Sequence, residues 1–320
     1  VTASSVPLLS VVVLTRDEAA NLPALLASLG GLGCGVFVVD SGSADATVAI
    51  AEAAGCTVVE HPFVNQAQQL NWAMGALPIT TPWVMRLDAD ERLTPELVAE
   101  LQAKLPGLPA DVAGLEVKRQ VWFWGRWIRH GAYYPTWLLR VWRNGQAVCE
   151  DRWMDEHMVV TGGRVLRLDH DIIDENHKGL TFWTDKHNRY ADREVKDLLA
   201  IEAARTAAKL EGQAGQRRWL KENLYARSPL FLRAFLYWFY RYVLRLGFLD
   251  GTPGLVFHFL QGFWYRFLVD AKIYELRRKE KLRDSGAPGA SDEVSKTAQR
   301  RALAGGVADE EGQAASAERT

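Results

Sequence analysis

Hydrophobic and polar positions fall into alternating blocks along the first ninety residues. SVVVLTRDE, residues 10–18, is an apolar, β-branched run that breaks abruptly into charge, which predicts a buried strand. Leu22, Leu25, Leu26 and Leu29 then recur at i, i+3, i+4 and i+7. With Pro23 in the first turn they predict a helix, closed by Gly30, Gly31 and Gly33. VFVVD, residues 36–40, predicts a second strand. After it Ser43 is a plausible helix cap with Asp45 in the first turn, Gly55 ends that helix, and residues 57–60 form a third strand. A further apolar run, WVMRLDADE, residues 83–91, stops in Asp88, Ala89 and Asp90. Strands alternating with helices imply an α/β fold with a parallel sheet and right-handed crossovers. Such sheets bind ligands at the carboxyl ends of their strands. Thr15, Asp17 and Glu18, then Asp40 and Ser41, then Asp88 and Asp90 are therefore expected along one edge.

The chemistry of that edge is acidic. Alternation along an extended segment puts Asp88 and Asp90 on one side, an oxygen-rich pair suited to Mg²⁺ or Mn²⁺ and, through it, to phosphate. The sequence holds neither a G-x-G-x-x-G nor a P-loop, which argues against a dinucleotide dehydrogenase or an NTPase. Asp40 is open to two readings, a ligand of the nucleotide or a cap on the turn after its strand. Asp45 reads as a helix N-terminal charge.

Taken together, SVVVLTRDEAANL, VVDSGSADAT, NQAQQLNWA, WVMRLDADE, GRWIRHGAYYP, DRWMDEH, KHNRYADRE and GFLDGTPGLVFHFLQGFWYRFLVDAKIYE run in order over roughly residues 8–280. On these stretches the chain resembles family 2 glycosyltransferases. It is most similar to the bacterial WaaE-like enzymes of lipopolysaccharide-core and exopolysaccharide assembly. The resemblance implies the GT-A fold, a Rossmann-like, mostly parallel sheet flanked by helices. It implies that Thr15 and Glu18 flank the nucleoside of a nucleotide-sugar donor and that Asp40 holds it. Asp88 and Asp90 would serve diphosphate, donor sugar and metal. Relatives often carry Lys or Arg where this chain has Gln66 to Asn71. Gln69 and Asn71 can hydrogen-bond ribose or phosphate, but the missing charge must come from the metal or from Arg119, Arg126, Arg129 or Arg140. An inverting transfer also needs a base for the acceptor hydroxyl. The resemblance points to Glu156 first, Asp155 second and Asp151 third, with His157 as a further metal ligand.

Two regions bear on the acceptor. Trp122, Trp124, Trp127, Tyr133, Tyr134, Trp137 and Trp142 crowd one stretch. Most are expected to pack the core and one or two to face a sugar. Between Arg217 and Leu249 seven cations stand against one acid, Glu222, and they are woven through LFLRAFLYWFYRYVLRLGFL. Neither this block nor GLVFHFLQGFWYRFLVD is an uninterrupted apolar span of about 20 residues. Arginines spaced among aromatics suit a helix lying in a membrane interface, where a glycolipid or lipid-linked acceptor would sit.

Composition adds limits. The 320 residues carry a net charge of −1, which gives no basic field for nucleic acid. Cys34, Cys56 and Cys149 are odd in number and lack metal spacing, as in a reducing cytosol. No signal peptide is recognisable, because the first apolar run is short and ends in Arg16, Asp17 and Glu18. The expected organisation is a catalytic domain over residues 1–180, a helical membrane-interface region over 181–282 and a disordered tail over 283–320. The expected location is the cytoplasmic face of a bacterial inner membrane, held peripherally. Two other functions fit less of the pattern. One is a sugar transferase acting on polyprenyl phosphate, which needs a phosphate site at Arg233, Arg241 and Arg245. The other is a catalytically inactive GT-A scaffold.

Overall fold

The structure is a computed structural model, and it describes residues 7–150, 157–204 and 228–284. Four strands form the parallel half of one sheet: β1 (Leu9–Thr15), β2 (Gly35–Asp40), β3 (Thr57–Glu60) and β4 (Trp83–Asp88). They lie in the order β3-β2-β1-β4, with Thr15 beside Asp40 and Leu14 beside Asp88 in register. The helices between them are α1 (Leu22–Ser28), α2 (Thr47–Ala53) and α3 (Gln66–Ala76). Each crossover returns the chain to the same end of the sheet, so the strand ends expected to converge do so.

Side-chain alternation divides the core between the two faces of the sheet. Val11, Val13 and Val38 pack against Leu22 and Leu25 of α1 and Leu97 and Leu101 of α4 (Pro95–Lys104). Val12, Phe37, Val39 and Val84 pack against Ala67, Leu70 and Ala73 of α3. Both faces being covered explains why β1 reads as a continuous apolar run and not as an alternation.

Beyond β4 the sheet is mixed. Its remaining strands are β5 (Glu91–Leu93), β6 (Val112–Phe123), β7 (Arg126–Trp127), β8 (Trp137–Arg143) and β11 (Arg164–Glu175). The order continues β4-β8-β6-β11-β5, with β8 antiparallel to β4 and to β6, and β11 parallel to β6. β9 (Ala147–Cys149) and β10 (Met158–Val160) make a separate two-stranded ribbon. Of the seven clustered rings, only Trp142 is fully buried, at 1% exposure, and Trp124 is 55% exposed. The other five are half-buried. The expectation that most are core is corrected, since Trp124, Tyr133 and Tyr134 lie on turns between strands and Trp127 on the two-residue β7. Trp137, for example, lies between Lys118 and Arg167.

After β11 the chain forms α5 (Gly179–Ala204), a helix at Leu232–Phe239 that runs into a wider turn at Tyr240–Leu244, and short helical turns from Gly247 to Trp264. Gly131, at φ 70°, lies so close to the buried His258 ring that a β-carbon would fall 2.1 Å from its Cε1. Asp250 fastens the same loop, accepting from the His130 amide at 3.0 Å and meeting its Nδ1 at 2.6 Å. The last helix, Tyr265–Asp284, enters a second compact unit at Asp270; there its surface is charged and Glu275 pairs with Lys279 at 2.6 Å. Among the described residues no helix is long and apolar enough to cross a membrane. Most of the expected C-terminal tail, from residue 285, lies outside the described residues.

One buried acid joins α4 to β11. Glu100, 7% exposed, accepts from Lys104, from the amides of Asp169 and His170, and meets the His170 ring at 2.8 Å. Burial alone would raise its pKa, but these donors outweigh it and hold the carboxyl at about 2. A depressed carboxylate pKa stabilises the fold above the unfolded pKa and loses that contribution as pH falls toward the folded value. Glu100→Gln is expected to cost about 2 kcal/mol at pH 7 and less than about half of that at pH 3, measured by urea unfolding across pH.

Candidate active site

The sheet edge is organised by Asp40. It is 2% exposed, and its carboxylate accepts from Thr15 Oγ1 at 2.8 Å, from the Ser43 amide at 2.7 Å and from Ser43 Oγ at 2.5 Å. Ser43 Oγ in turn accepts from the Asp17 amide at 2.8 Å. Ser43 therefore ties the β1 and β2 ends together and does not cap α2, whose start is served by Asp45 accepting from the Thr47 amide at 3.0 Å. Asp17, in this tie, has a positive φ of 54°. Asn21 donates to Glu18 at 2.7 Å, and Lys178 pairs with it at 2.6 Å. Burial nonetheless raises the Glu18 pKa above its ordinary value, against the pull of Lys178.

Asp88, at the end of β4, is held by three donors. Arg86 reaches Oδ1 at 3.1 Å, Gln66 reaches Oδ1 at 3.3 Å, and Arg140 reaches Oδ2 at 3.1 Å. Arg140 also donates to Glu91, which accepts the Asp88 amide at 3.0 Å. Burial pushes the Asp88 pKa up, but Arg86 and then Arg140 outweigh it and keep the carboxylate ionised far below the usual range. Glu91 goes the opposite way, raised by burial and by the charge of Asp88 against the attraction of Arg140. Asp174 lies beside Glu91 in the β5–β11 register and pairs with Arg119 at 3.3 Å; burial, then Asp90 and Asp88, push it up to about 6.

Asp90 is met from the far end of the chain. Asn176 donates to it at 2.9 Å, and Lys186 of α5 lies 4.0 Å away. Burial would pull the Lys186 pKa down, but Asp90 and the neighbouring acids raise it, so the ammonium is fixed as a charge. The structure thus brings together Thr15 with Asp40, Glu18 with Lys178, and Asp88 with Arg140.

The remaining expected residues lie elsewhere or are engaged. Gln69, 1% exposed, donates to Ser41 Oγ and to the His61 carbonyl, both at 3.1 Å. Both ends of the Asn71 amide are engaged by the backbone of Cys149, at 2.8 and 2.9 Å. His157 pairs with Glu150 at 3.7 Å. Glu156, Asp155 and Asp151 lie outside the described residues. Of the four candidate arginines, Arg140 meets Asp88, Arg119 meets Asp174, Arg129 stacks 4.5 Å from the Trp127 ring centre, and Arg126 is exposed on β7.

Sequence reasoning passed over Arg86, Glu91, Asp174, Asn176, Lys178 and Lys186. Arg86 had a visible signal, since a buried strand that places Arg two residues before Asp puts both on one face.

Among the described residues no three His, Cys, Asp or Glu side chains converge as a complete metal site. The donor set still fits a hard cation of the kind that keeps most of its ligands as water and phosphate oxygens. The sequence puts two carboxylates on one strand end, and Asp88 is kept in the ionised form that such a cation requires.

A family model described as Glycosyl transferase family 2 matches residues 10–173. An uncharacterized glycosyltransferase of Rickettsia felis is 35% identical over 94 residues, which is 29% of this chain and 32% of that protein. The chain thus spans about a third of the length of the curated relatives it matches. Among solved structures, Staphylococcus aureus TarS 1–349 aligns over 87% of this chain and 91% of its own at 14% identity and a TM-score of 0.44. The mannosyltransferase PcManGT of Pyrobaculum calidifontis, in complex with GDP-Man and Mn²⁺, aligns over 93% of this chain and 80% of its own at 16% identity and a TM-score of 0.43.

Removing Arg140 leaves the buried Glu91 without its guanidinium and Asp88 with Arg86 as its remaining one. Arg140→Ala is expected to cost about 3 kcal/mol in urea unfolding at pH 7.5, and adding Glu91→Gln to recover about 1 kcal/mol of it. A loss below about 1 kcal/mol would mean that Arg140 compensates little.

Proposed function

The chain belongs to glycosyl transferase family 2, and on that premise we propose that it moves a sugar from a nucleotide-diphosphate donor, UDP-linked by preference, to a glycolipid or lipid-linked saccharide. Transfer inverts the anomeric carbon, uses Mg²⁺ or Mn²⁺ and serves bacterial cell-surface polysaccharide or lipopolysaccharide synthesis. The enzyme works peripherally on the cytoplasmic face of the inner membrane. The observation that carries the reading is the pairing of Asp88 with Arg86 and Arg140 at the end of β4, one strand away from the Thr15–Asp40 pair. An ionised carboxylate set among fixed cations, at the edge where parallel sheets take ligands, suits a diphosphate and its cation.

In this reading the nucleoside lies along β1 and β2, oriented by Thr15, Asp40 and Glu18. Asp40 is already fixed by three hydrogen bonds, so binding needs little reordering of its side chain. The diphosphate lies toward Asp88 and Asp90, where those two residues would hold the metal. The metal would neutralise charge on the departing diphosphate. Lys186, beside Asp90, adds a fixed positive charge to that neighbourhood. The acceptor hydroxyl oxygen bonds to the anomeric carbon as the bond from that carbon to the diphosphate oxygen breaks. The hydroxyl proton passes to a carboxylate, Glu156 before Asp155 or Asp151. For the polyprenyl-phosphate alternative, Arg233 is 4% exposed and Arg241 donates inward to the Gly131 carbonyl at 2.6 Å, which leaves Arg245 as the exposed member of that set.

Calorimetric titration with UDP and with GDP, each with and without Mn²⁺, tests the donor site. UDP is expected to bind in a metal-dependent way and to lose at least about tenfold in affinity in Asp88→Asn. Tighter GDP binding would overturn the UDP preference; no binding of either would overturn the donor site. Glu156→Gln is expected to bind UDP normally and to lose at least about a hundredfold in turnover. Normal turnover there would move the base to Asp155 or Asp151.

A further inference from the structure

The helix at Leu232–Phe239 and the turn that continues it are built inside out. Leu232, Phe235, Leu236, Phe239, Tyr240 and Leu244 recur at helical spacing and are all exposed, Leu244 at 62%. The charged side faces inward instead. Arg233 is 4% exposed, and the Arg241 guanidinium lies 3.5 Å from the centre of the Tyr133 ring while its Nε donates to Gly131. A water-facing helix has the opposite arrangement. Phe248, Leu249 and Phe259 add further exposed apolar side chains in the next segment. A continuous apolar face of this kind on a soluble surface marks an interaction site.

The charges decide what covers it. Residues 228–269 contain four arginines and a single acid, Asp250, and that acid is 1% exposed and held by His130. Among the described residues of this segment no carboxylate is exposed, while Arg245 is exposed beside Leu244. A symmetric pairing with a second copy would bring this segment against itself, with Arg245 unmatched by any exposed acid of its described residues. A bilayer supplies phosphate for the arginine and acyl chain for the aromatics. The segment over residues 232–244 is about 20 Å long at 1.5 Å per residue, short of a hydrocarbon core of about 30 Å.

We propose that this face docks on an anionic lipid bilayer, with the 232–244 segment lying in the plane of the headgroup and acyl boundary. This deepens the peripheral location proposed above and rests on that reading. The inward arginine and the His130–Asp250 pair fasten the docking face to the loop carrying Tyr133, which fixes the height of the catalytic domain above the lipid.

Flotation of the full chain with phosphatidylglycerol–phosphatidylethanolamine vesicles, against phosphatidylcholine vesicles, tests it. Binding is expected to the anionic vesicles, to weaken in 0.5 M salt, and to fall about tenfold or more in the Leu236→Glu, Leu244→Glu double variant. A Phe248→Asp, Leu249→Asp variant is expected to show the same loss, and it decides if the first variant loses its far-UV circular dichroism. Failure of the wild type to float with anionic vesicles would overturn the proposal. So would a wild-type dimer that the substitutions dissociate without any vesicle binding. UDP titration of the same samples separates the readings, because a wild type that floats but binds no UDP contradicts the donor site and leaves the docking face standing.

Discussion

A carboxylate at the end of a covered strand is costly unless cations meet it, and the arrangement at Asp88 governs much of this fold. Arg86 comes from the same strand, two residues back. Arg140 comes from β8, the first antiparallel strand after the parallel half. The seam between the two halves of the sheet is therefore also where the site's charge is balanced. Because Arg140 is shared with Glu91, the turn that leads out of β4 is tied to the same guanidinium. Moving β8 relative to β4 would uncover two acids at once.

The second ring of contacts comes from far along the chain. The end of β11 delivers Asp174 beside Glu91, then Asn176 to Asp90 and Lys178 to Glu18. α5 begins immediately after and brings Lys186 to Asp90. The same loop reaches α1 through the His177 amide, which donates to Asn21 at 2.8 Å. The edge formed by the first ninety residues is thus joined by residues 174–186, which bring acids and cations to it. Their pairing lets so many ionisable groups share one place: Asp88 is driven down, while Glu18 and Asp174 are driven up by burial.

The parallel half was legible because its signal is local. Continuous β-branched apolar runs broken by acid, with glycine punctuation between them, placed Thr15, Asp40 and Asp88 on one edge, and the register pairs Thr15 with Asp40. Ser43 was read as a cap because serine before a helix usually is one; its hydroxyl instead finds the stronger acceptor, the Asp40 carboxylate. For Asn71 the residue type was informative and its direction was not, since its partner Cys149 lies 78 residues away. Asn176 and Lys186 gave no local signal, because their meaning depends on where the 12-residue strand β11 ends. In the C-terminal helices the mixture of arginine and aromatic side chains was visible in the sequence. Which of the two faces outward was set by Tyr133 and Gly131, residues on a loop a hundred positions earlier.

The central claim is that the ionised end of β4 receives the diphosphate and its cation. Crystals grown with UDP and Mn²⁺, with an anomalous difference map at the manganese edge, test it most directly. The account predicts one strong peak at about 2.0–2.3 Å from carboxylate oxygen of Asp88 or Asp90, bridged to the diphosphate, with uridine against Thr15 and Asp40. A manganese peak and a nucleotide away from β4, with Asp88 still paired to Arg86 and Arg140, would contradict it.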